Sequence, residues 1–250
     1  MNPLRSLRAD NPGPFTLEGT RTHILGHREV AIIDPGPDMD AHVRAVAHAV
    51  REAEHVSVVL THGHRDHAGA VDSILELIPD SQVVGAGHPS ARGLSDGASV
   101  HTDAGLLTAL HTPGHTRDHL VFHWKEGLAL FAGDMVLGGG DTTWVAEYPG
   151  CVADYLASLS RLEGLPLQRV YPAHGPDQDD PPALWRRYRA HREGRIASVR
   201  AALARDPGAT TEELLDAVYG ATVPPGLRRA ARESVRALVE YVEAHPEGRP

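Results

Sequence analysis

One seven-residue stretch limits this chain more than any other: Thr61-His62-Gly63-His64-Arg65-Asp66-His67. It follows Val56-Ser57-Val58-Val59-Leu60, a short β-branched apolar run that reads as a buried strand. His62 and His64 lie two apart, so on an extended backbone both point the same way. Asp66 continues that alternation, and His67 opens a helical stretch from Ala68 to Leu77. One strand end therefore aims four imidazole and carboxylate groups at one point. Neutral imidazole and carboxylate suit borderline divalent metals, zinc first. A histidine-rich surface loop is the plain alternative in a chain with 17 histidines. The ordered H-x-H-x-D-H pattern after an apolar strand favours the metal.

Three later stretches have the same make-up. His115 stands in Thr112-Pro113-Gly114-His115-Thr116, Asp134 in Phe131-Ala132-Gly133-Asp134, and His174 in Tyr171-Pro172-Ala173-His174-Gly175. Each follows an apolar run and stands beside a glycine, as a strand end does where the backbone must pass close to an ion. Taken in order, these stretches resemble the metallo-β-lactamase superfamily across residues 15–180. The resemblance implies an αββα sandwich, an α/β fold with metals at one edge. It implies that His62, His64 and His115 bind one ion, that Asp66, His67 and His174 bind a second, and that Asp134 bridges them. It also implies that Asp34, at the end of a strand over Glu29 to Ile33, supports the histidine loop from behind. An aspartate before Pro35 is equally a turn former. Two Zn2+ are expected, with iron or manganese as the alternatives the superfamily offers.

The chemistry of such a site follows from its donors. Two cations ~3.5–4 Å apart share a water, bring its pKa towards ~7 and generate hydroxide at neutral pH. That bridging hydroxide is the nucleophile, so no serine or cysteine is required. Asp66 is the natural acceptor to orient it. A closed structural zinc site takes four ligands, and seven mixed ligands exceed that number.

Composition narrows the setting. Cys151 is the only cysteine, which excludes an intrachain disulfide and a cysteine-based zinc site. No apolar run approaches the ~18 residues of a membrane helix, and the first ten residues lack a secretory apolar core. A cytoplasmic protein away from the membrane is expected. Residues 1–182 carry 12 Lys+Arg and 24 Asp+Glu, a balance of −12, while residues 183–250 carry 12 and 9, a balance of +3. The texture changes at Pro181-Pro182. Residues 1–180 read as the catalytic α/β domain, and residues 183–250 as a small helical domain with helices over 185–203, 211–218 and 227–244.

Several local readings accompany this division. Residues 1–14 read as an irregular arm, and Gly26-His27 as the turn of a hairpin. Asp38 or Asp40 is expected to cap a helix running to about Ala53, with His42 and His48 in solvent. Asp154 is expected to cap a helix over 155–162, and Thr210 or Thr211 the helix after it.

Substrate is the open question. Met135-Val136-Leu137-Gly138-Gly139-Gly140-Asp141-Thr142-Thr143, Tyr171-Pro172-Ala173-His174-Gly175-Pro176 and His191-Arg192-Glu193-Gly194-Arg195 together resemble the β-lactamase-like protein 2 family. That family's animal mitochondrial members are endoribonucleases on single-stranded RNA, with a winged-helix-like C-terminal domain. Here Asp141 separates the family's Thr-Thr from its glycine, and the chain ends soon after the third helix, so the wing is expected to be missing. The resemblance leaves two enzyme readings: cleavage of single-stranded RNA, or hydrolysis of a small ester or acyl thioester with glyoxalase II-like chemistry. Arg65, Arg117, Trp144, Arg186, Arg187 and Tyr188 are the RNA-contact candidates. A metal-binding interaction module without turnover is a third reading, and the helical tail could also join two copies into a homodimer.

Overall fold

The structure, a computed structural model, describes residues 2–140, 142–220 and 223–246. By compactness the chain forms two units. The first is Met1–His111, Asp118–Gly139 and Pro166–Pro181; the second is Thr112–Arg117, Gly140–Leu165 and Pro182–Pro250. This line differs from the 1–180 and 183–250 division drawn on sequence texture. Asp141 and residues 247–250 lie outside the described residues.

The first unit contains two five-stranded sheets. One has the order β1 (Leu4–Arg8), β2 (Arg21–Leu25), β3 (Glu29–Ile33), β4 (His55–Leu60) and β5 (Gln82–Gly85). Its first three strands are antiparallel and its last three parallel. Parallel neighbours need crossovers. Here α1 (Asp40–Ala49) links β3 to β4, and α2 (Arg65–Ala68) with α3 (Val71–Leu77) links β4 to β5. The other sheet runs β10-β9-β8-β7-β6, built from β6 (Ser99–Thr102), β7 (Gly105–His111), β8 (Leu120–Trp124), β9 (Ala129–Gly133) and β10 (Arg169–Pro172). β10 lies parallel to β9 and the rest are antiparallel.

The apolar runs of β3 and β4 are continuous because both faces are covered. Val30, Ile32, Val58 and Leu60 pack with Val43, Val46 and Ile74 of the helices. Ala31, Ile33 and Val59, on the other face, pack with Leu107, Phe122 and Phe131 of the second sheet. Each such large side chain contributes about 1.5–3 kcal/mol on full burial. This pairing fixes register, and register fixes where the strands stop. β3 and β4 end side by side, with the Asp34 N–H donating to Val59 O at 2.9 Å. At the same edge Leu120 N–H donates to Thr61 O at 2.9 Å and Arg21 N–H to Ala173 O at 2.7 Å, joining the two sheets.

The second unit is helical: α4 (Cys151–Glu163), α5 (Pro181–Arg205), α6 (Thr211–Tyr219), a 3-10 turn at Pro225–Leu227 and α7 (Arg228–Ala244). None of its described residues forms a strand. α7 buries Ala231, Val235, Leu238 and Val242, a 3.6-residue stripe. α6 opens on the expected capping box, in which Thr210 accepts from the Glu213 N–H and Glu213 reaches back to the Thr210 N–H.

Several local expectations are corrected. The N-terminal arm contains β1, which finds its partners on the edge of β2. The helix after His64 begins at Arg65, and Gly69-Ala70 interrupt it. Met39 and Gly150, not Asp38, Asp40 or Asp154, are the N-caps of α1 and α4. Asp154 instead accepts a hydrogen bond from Tyr148 Oη at 2.9 Å. His42 is buried, and its Nε2 lies 2.9 Å from Thr22 Oγ1. That contact comes from a strand 20 residues away and is invisible to helical periodicity.

Candidate metal centre

Three strand ends of the first unit deliver the cluster. β4 delivers His62, His64, Asp66 and His67 through the turn into α2, β9 delivers Asp134, and β10 delivers His174. Asp34 follows β3. The donor atoms of His62, His67 and Asp134 lie within 4.8 Å of one another, as do those of Asp66, His67 and His174. His174 Nε2 is 3.3 Å from His67 Nε2, 3.2 Å from Asp66 Oδ2 and 3.3 Å from Asp134 Oδ1. His62 Nε2 is 3.0 Å from His64 Nδ1. Two imidazole nitrogens that face each other gain nothing unless a proton or a cation lies between them. Convergent imidazole and carboxylate donors of this kind fit a divalent cation.

Asp34 sets the orientation of the loop. It takes a left-handed backbone conformation, with φ 49°, a sparsely populated region for a non-glycine residue. Its Oδ1 accepts from the Thr61 N–H at 2.8 Å, and its Oδ2 accepts from Thr61 Oγ1 at 2.7 Å and from His67 Nδ1 at 2.9 Å. Since the Thr61 hydroxyl donates to Asp34, it accepts from His62 Nδ1 at 3.0 Å. One carboxylate therefore directs the Nε2 atoms of two histidines, His67 directly and His62 through Thr61. Gly133, before Asp134, has φ 49°, and a Cβ there would stand 2.6 Å from Thr61 Oγ1. Only glycine lets β9 approach this closely.

Burial opposes a charge on His67, but the carboxylates of Asp134 and Asp34 outweigh it and raise its pKa well above the ordinary value. Burial pushes Asp66 up, but the hydrogen bond from His174 and the charge of His67 prevail and lower it. The Asp66 side chain is 28 % exposed while those of His67 and His174 are fully buried, so the cluster meets solvent on the Asp66 side.

His115 lies in the second unit. Its Nδ1 donates to Trp144 O at 2.8 Å, which puts the lone pair on Nε2. Two further groups carry parts of the arrangement that the sequence alone does not assign. Thr61 relays between Asp34 and His62, and its place directly before the first histidine was the available signal. His119 is buried and its Nε2 accepts from the Asp134 N–H at 3.3 Å; its place four residues after His115 was the available signal.

Comparison with known proteins agrees with the geometry. A family described as the metallo-beta-lactamase superfamily matches residues 89–174. The beta-lactamase-like protein 2 homolog of Caenorhabditis elegans is 32 % identical over 92 % of this chain and 80 % of its own length. The chain belongs to the metallo-β-lactamase superfamily. A second relative, the atrochrysone carboxyl ACP thioesterase of Aspergillus chevalieri, is 35 % identical over 90 % of this chain and 75 % of that protein. A metallo-beta-lactamase family protein from Thermus thermophilus superposes with a TM-score of 0.81 at 22 % identity, covering 98 % of this chain and 95 % of that one. The fold is thus the metallo-β-lactamase fold, and the chain is a hydrolase of that superfamily. No helix among the described residues is long and apolar enough to cross a membrane.

Proposed function

We propose that this hydrolase cleaves a small acyl thioester with two divalent metal ions, zinc in the first instance and iron or manganese as substitutes. The superfamily's ligand pattern carries over residue by residue: His62, His64 and His115 hold one ion, Asp66, His67 and His174 the other, and Asp134 serves both. When bound, the ions polarise the substrate carbonyl and activate a water for attack. Asp66, on the side of the cluster that meets solvent, would orient that water as a hydrogen-bond acceptor. Asp34 and Thr61 keep the histidine tautomers fixed, so the donor nitrogens need no rearrangement.

The observation that carries the thioester over RNA is the state of the aromatic side chains in the second unit. Base stacking needs exposed rings. Trp185, Tyr155 and Tyr188 are 2 % exposed or less, Tyr148 lies under the Arg117 guanidinium at 4.3 Å, and Trp144 is half-buried with its ring edge-on to His115 at 6.2 Å. Leaving-group chemistry points the same way. A thiol with a pKa near ~8.5 departs as thiolate without help, whereas an alkoxide leaving group needs a proton. The 35 % identity to a protein named as an ACP thioesterase supports the same class.

The RNA reading keeps one observation in its favour, the +3 balance of residues 183–250. One assay separates the two. Metal-loaded protein is given an acyl-pantetheine thioester with a thiol reagent, and in parallel end-labelled single-stranded RNA. Chelator-treated protein and His64→Ala serve as controls. Thioester turnover lost in both controls, with intact RNA, is expected. Metal-dependent RNA cleavage with an untouched thioester would overturn the proposal.

A further inference from the structure

Arg192 is the polar group in the second unit that the foregoing leaves unexplained. It sits on α5, is 3 % exposed, and forms no ion pair with a carboxylate among the described residues. Its Nε is buried with no hydrogen-bond partner. A buried guanidinium of this kind is costly, and removing the charge from such a position is often neutral or stabilising for folding. A buried guanidinium at that cost points to a role beyond packing.

Its two contacts supply one. The Arg192 Nη2 donates to Thr143 O at 3.0 Å, and the guanidinium carbon lies 5.1 Å from the centre of the Tyr155 ring, within cation–π range. Thr143 precedes Trp144, whose carbonyl accepts from His115 Nδ1 and whose ring meets the His115 ring edge-on at 6.2 Å. Tyr155 packs on Gly114, the residue before the same histidine. Gly114, with φ 141°, packs so closely on Tyr155 that a Cβ would stand 2.6 Å from the Tyr155 Cβ. Ser158 Oγ, one turn further along α4, donates to Pro113 O at 2.8 Å. One guanidinium thus touches both Thr143, next to the His115 hydrogen-bond acceptor, and Tyr155, which packs on the residue before His115.

We propose that Arg192 is a positioning residue for His115. Through the Thr143 carbonyl beside Trp144 and the Tyr155 ring that packs on Gly114, it fixes the Nδ1–H tautomer and ring orientation of His115, and thereby its ability to bind metal through Nε2. The metal part of this statement rests on the ligand set proposed above; the link from Arg192 to His115 does not. It also gives α5 a task within the catalytic chemistry that requires no nucleic acid.

The test uses the full chain and reads the histidine itself. In metal-free protein labelled with 15N-histidine, long-range proton–nitrogen correlations report each ring tautomer, and His115→Gln assigns the resonance. Zinc affinity is measured by chelator competition. Arg192→Met is expected to fold with an unchanged circular dichroism spectrum, to lose the Nδ1–H tautomer at His115, and to bind zinc about 10–100-fold more weakly, the usual loss on removing an outer partner of a metal ligand. Arg192→Lys has a compact ammonium that cannot serve both walls, so the same changes are expected at smaller size. A wild-type tautomer and wild-type affinity in folded Arg192→Met would overturn the proposal. Should that variant fail to fold, Arg192→Lys decides by the same two readings. If His115→Gln keeps the wild-type zinc stoichiometry, the ligand assignment falls, while the tautomer still decides whether Arg192 acts on His115.

Discussion

The polar side chains at the strand ends of the first unit converge on one another, whereas the charged side chains of the second unit are spent on the protein itself. At the strand ends, imidazole nitrogens and carboxylate oxygens of six residues crowd together, with two histidine nitrogens only 3.3 Å apart. On the helices the arginines close onto partners. Arg189 binds Glu163 and Ser160, Arg195 binds the Val218 carbonyl and covers the Tyr219 ring, and Arg200 binds the carbonyls of His245 and Pro246. Both regions are rich in charge, but the strand ends bring together donors that a bound cation would satisfy. Charge count therefore misleads, and convergence of like donors is the better guide to a site. By this measure the +3 balance of the tail is mostly structural, with Arg192 the instructive exception.

The largest effect should come from breaking the convergence. Asp134→Ala is expected to lower thioester turnover about 10^3-fold or more, the several kcal/mol that metal positioning supplies. Elemental analysis of the variant should show fewer metal ions per chain. A metal-replete Asp134→Ala with near wild-type turnover would remove Asp134 from the centre. Asp34→Asn tests the layer behind. It is expected to weaken metal binding about 10–100-fold, with turnover recovering once metal is in excess, because Asp34 orients donors and is not itself one. Failure to recover in excess metal would mean that Asp34 does more than orient.

A third test sets a proton in place of the cation. With no metal, the raised pKa of His67 means that its proton stabilises the folded state. That contribution is fully present below the unfolded pKa of ~6.5 and is lost as pH rises through the higher folded value. The melting temperature of chelated protein should therefore fall, as pH rises above about 6.5, more than that of metal-loaded protein, in which the ion takes over the role of the proton. Parallel curves would show that His67 does not hold this charge.

These strand ends were legible in the sequence because each donor side chain follows a buried apolar run and stands by a glycine, and Gly133 shows why the glycine matters, since its neighbour Thr61 leaves no room for a Cβ. Asp34 was legible twice over. Its left-handed backbone is a turn feature and is also what turns both its oxygens onto Thr61 and His67. Elements held by distant partners were not legible. β1 has the polar sequence Leu4-Arg5-Ser6-Leu7-Arg8 and becomes a strand because β2 offers an edge. His42 looked like a solvated helix residue and is buried against Thr22. Nor could periodicity show that residues 112–117 and 140–165 fold compactly with the helices after Pro182.

The smallest expected effect is the one that sharpens the comparison most. Arg228 and Arg232 both bind Glu212, at 2.8 and 2.5 Å, and the pair lowers the pKa of that carboxyl. If these arginines belong to the fold, Arg228→Gln with Arg232→Gln leaves thioester turnover unchanged and leaves any retention of single-stranded RNA at its original weak, salt-sensitive level. If they grip phosphates, each lost contact lowers the slope of log affinity against log salt by about 0.7 for a single strand. Two lost contacts would then flatten the slope by about 1.4. Measuring RNA affinity at several salt concentrations for the wild type and the double variant reads this number directly. An unchanged slope assigns the arginines to the helices, because an arginine already committed to Glu212 must break that pair before it can bind a phosphate.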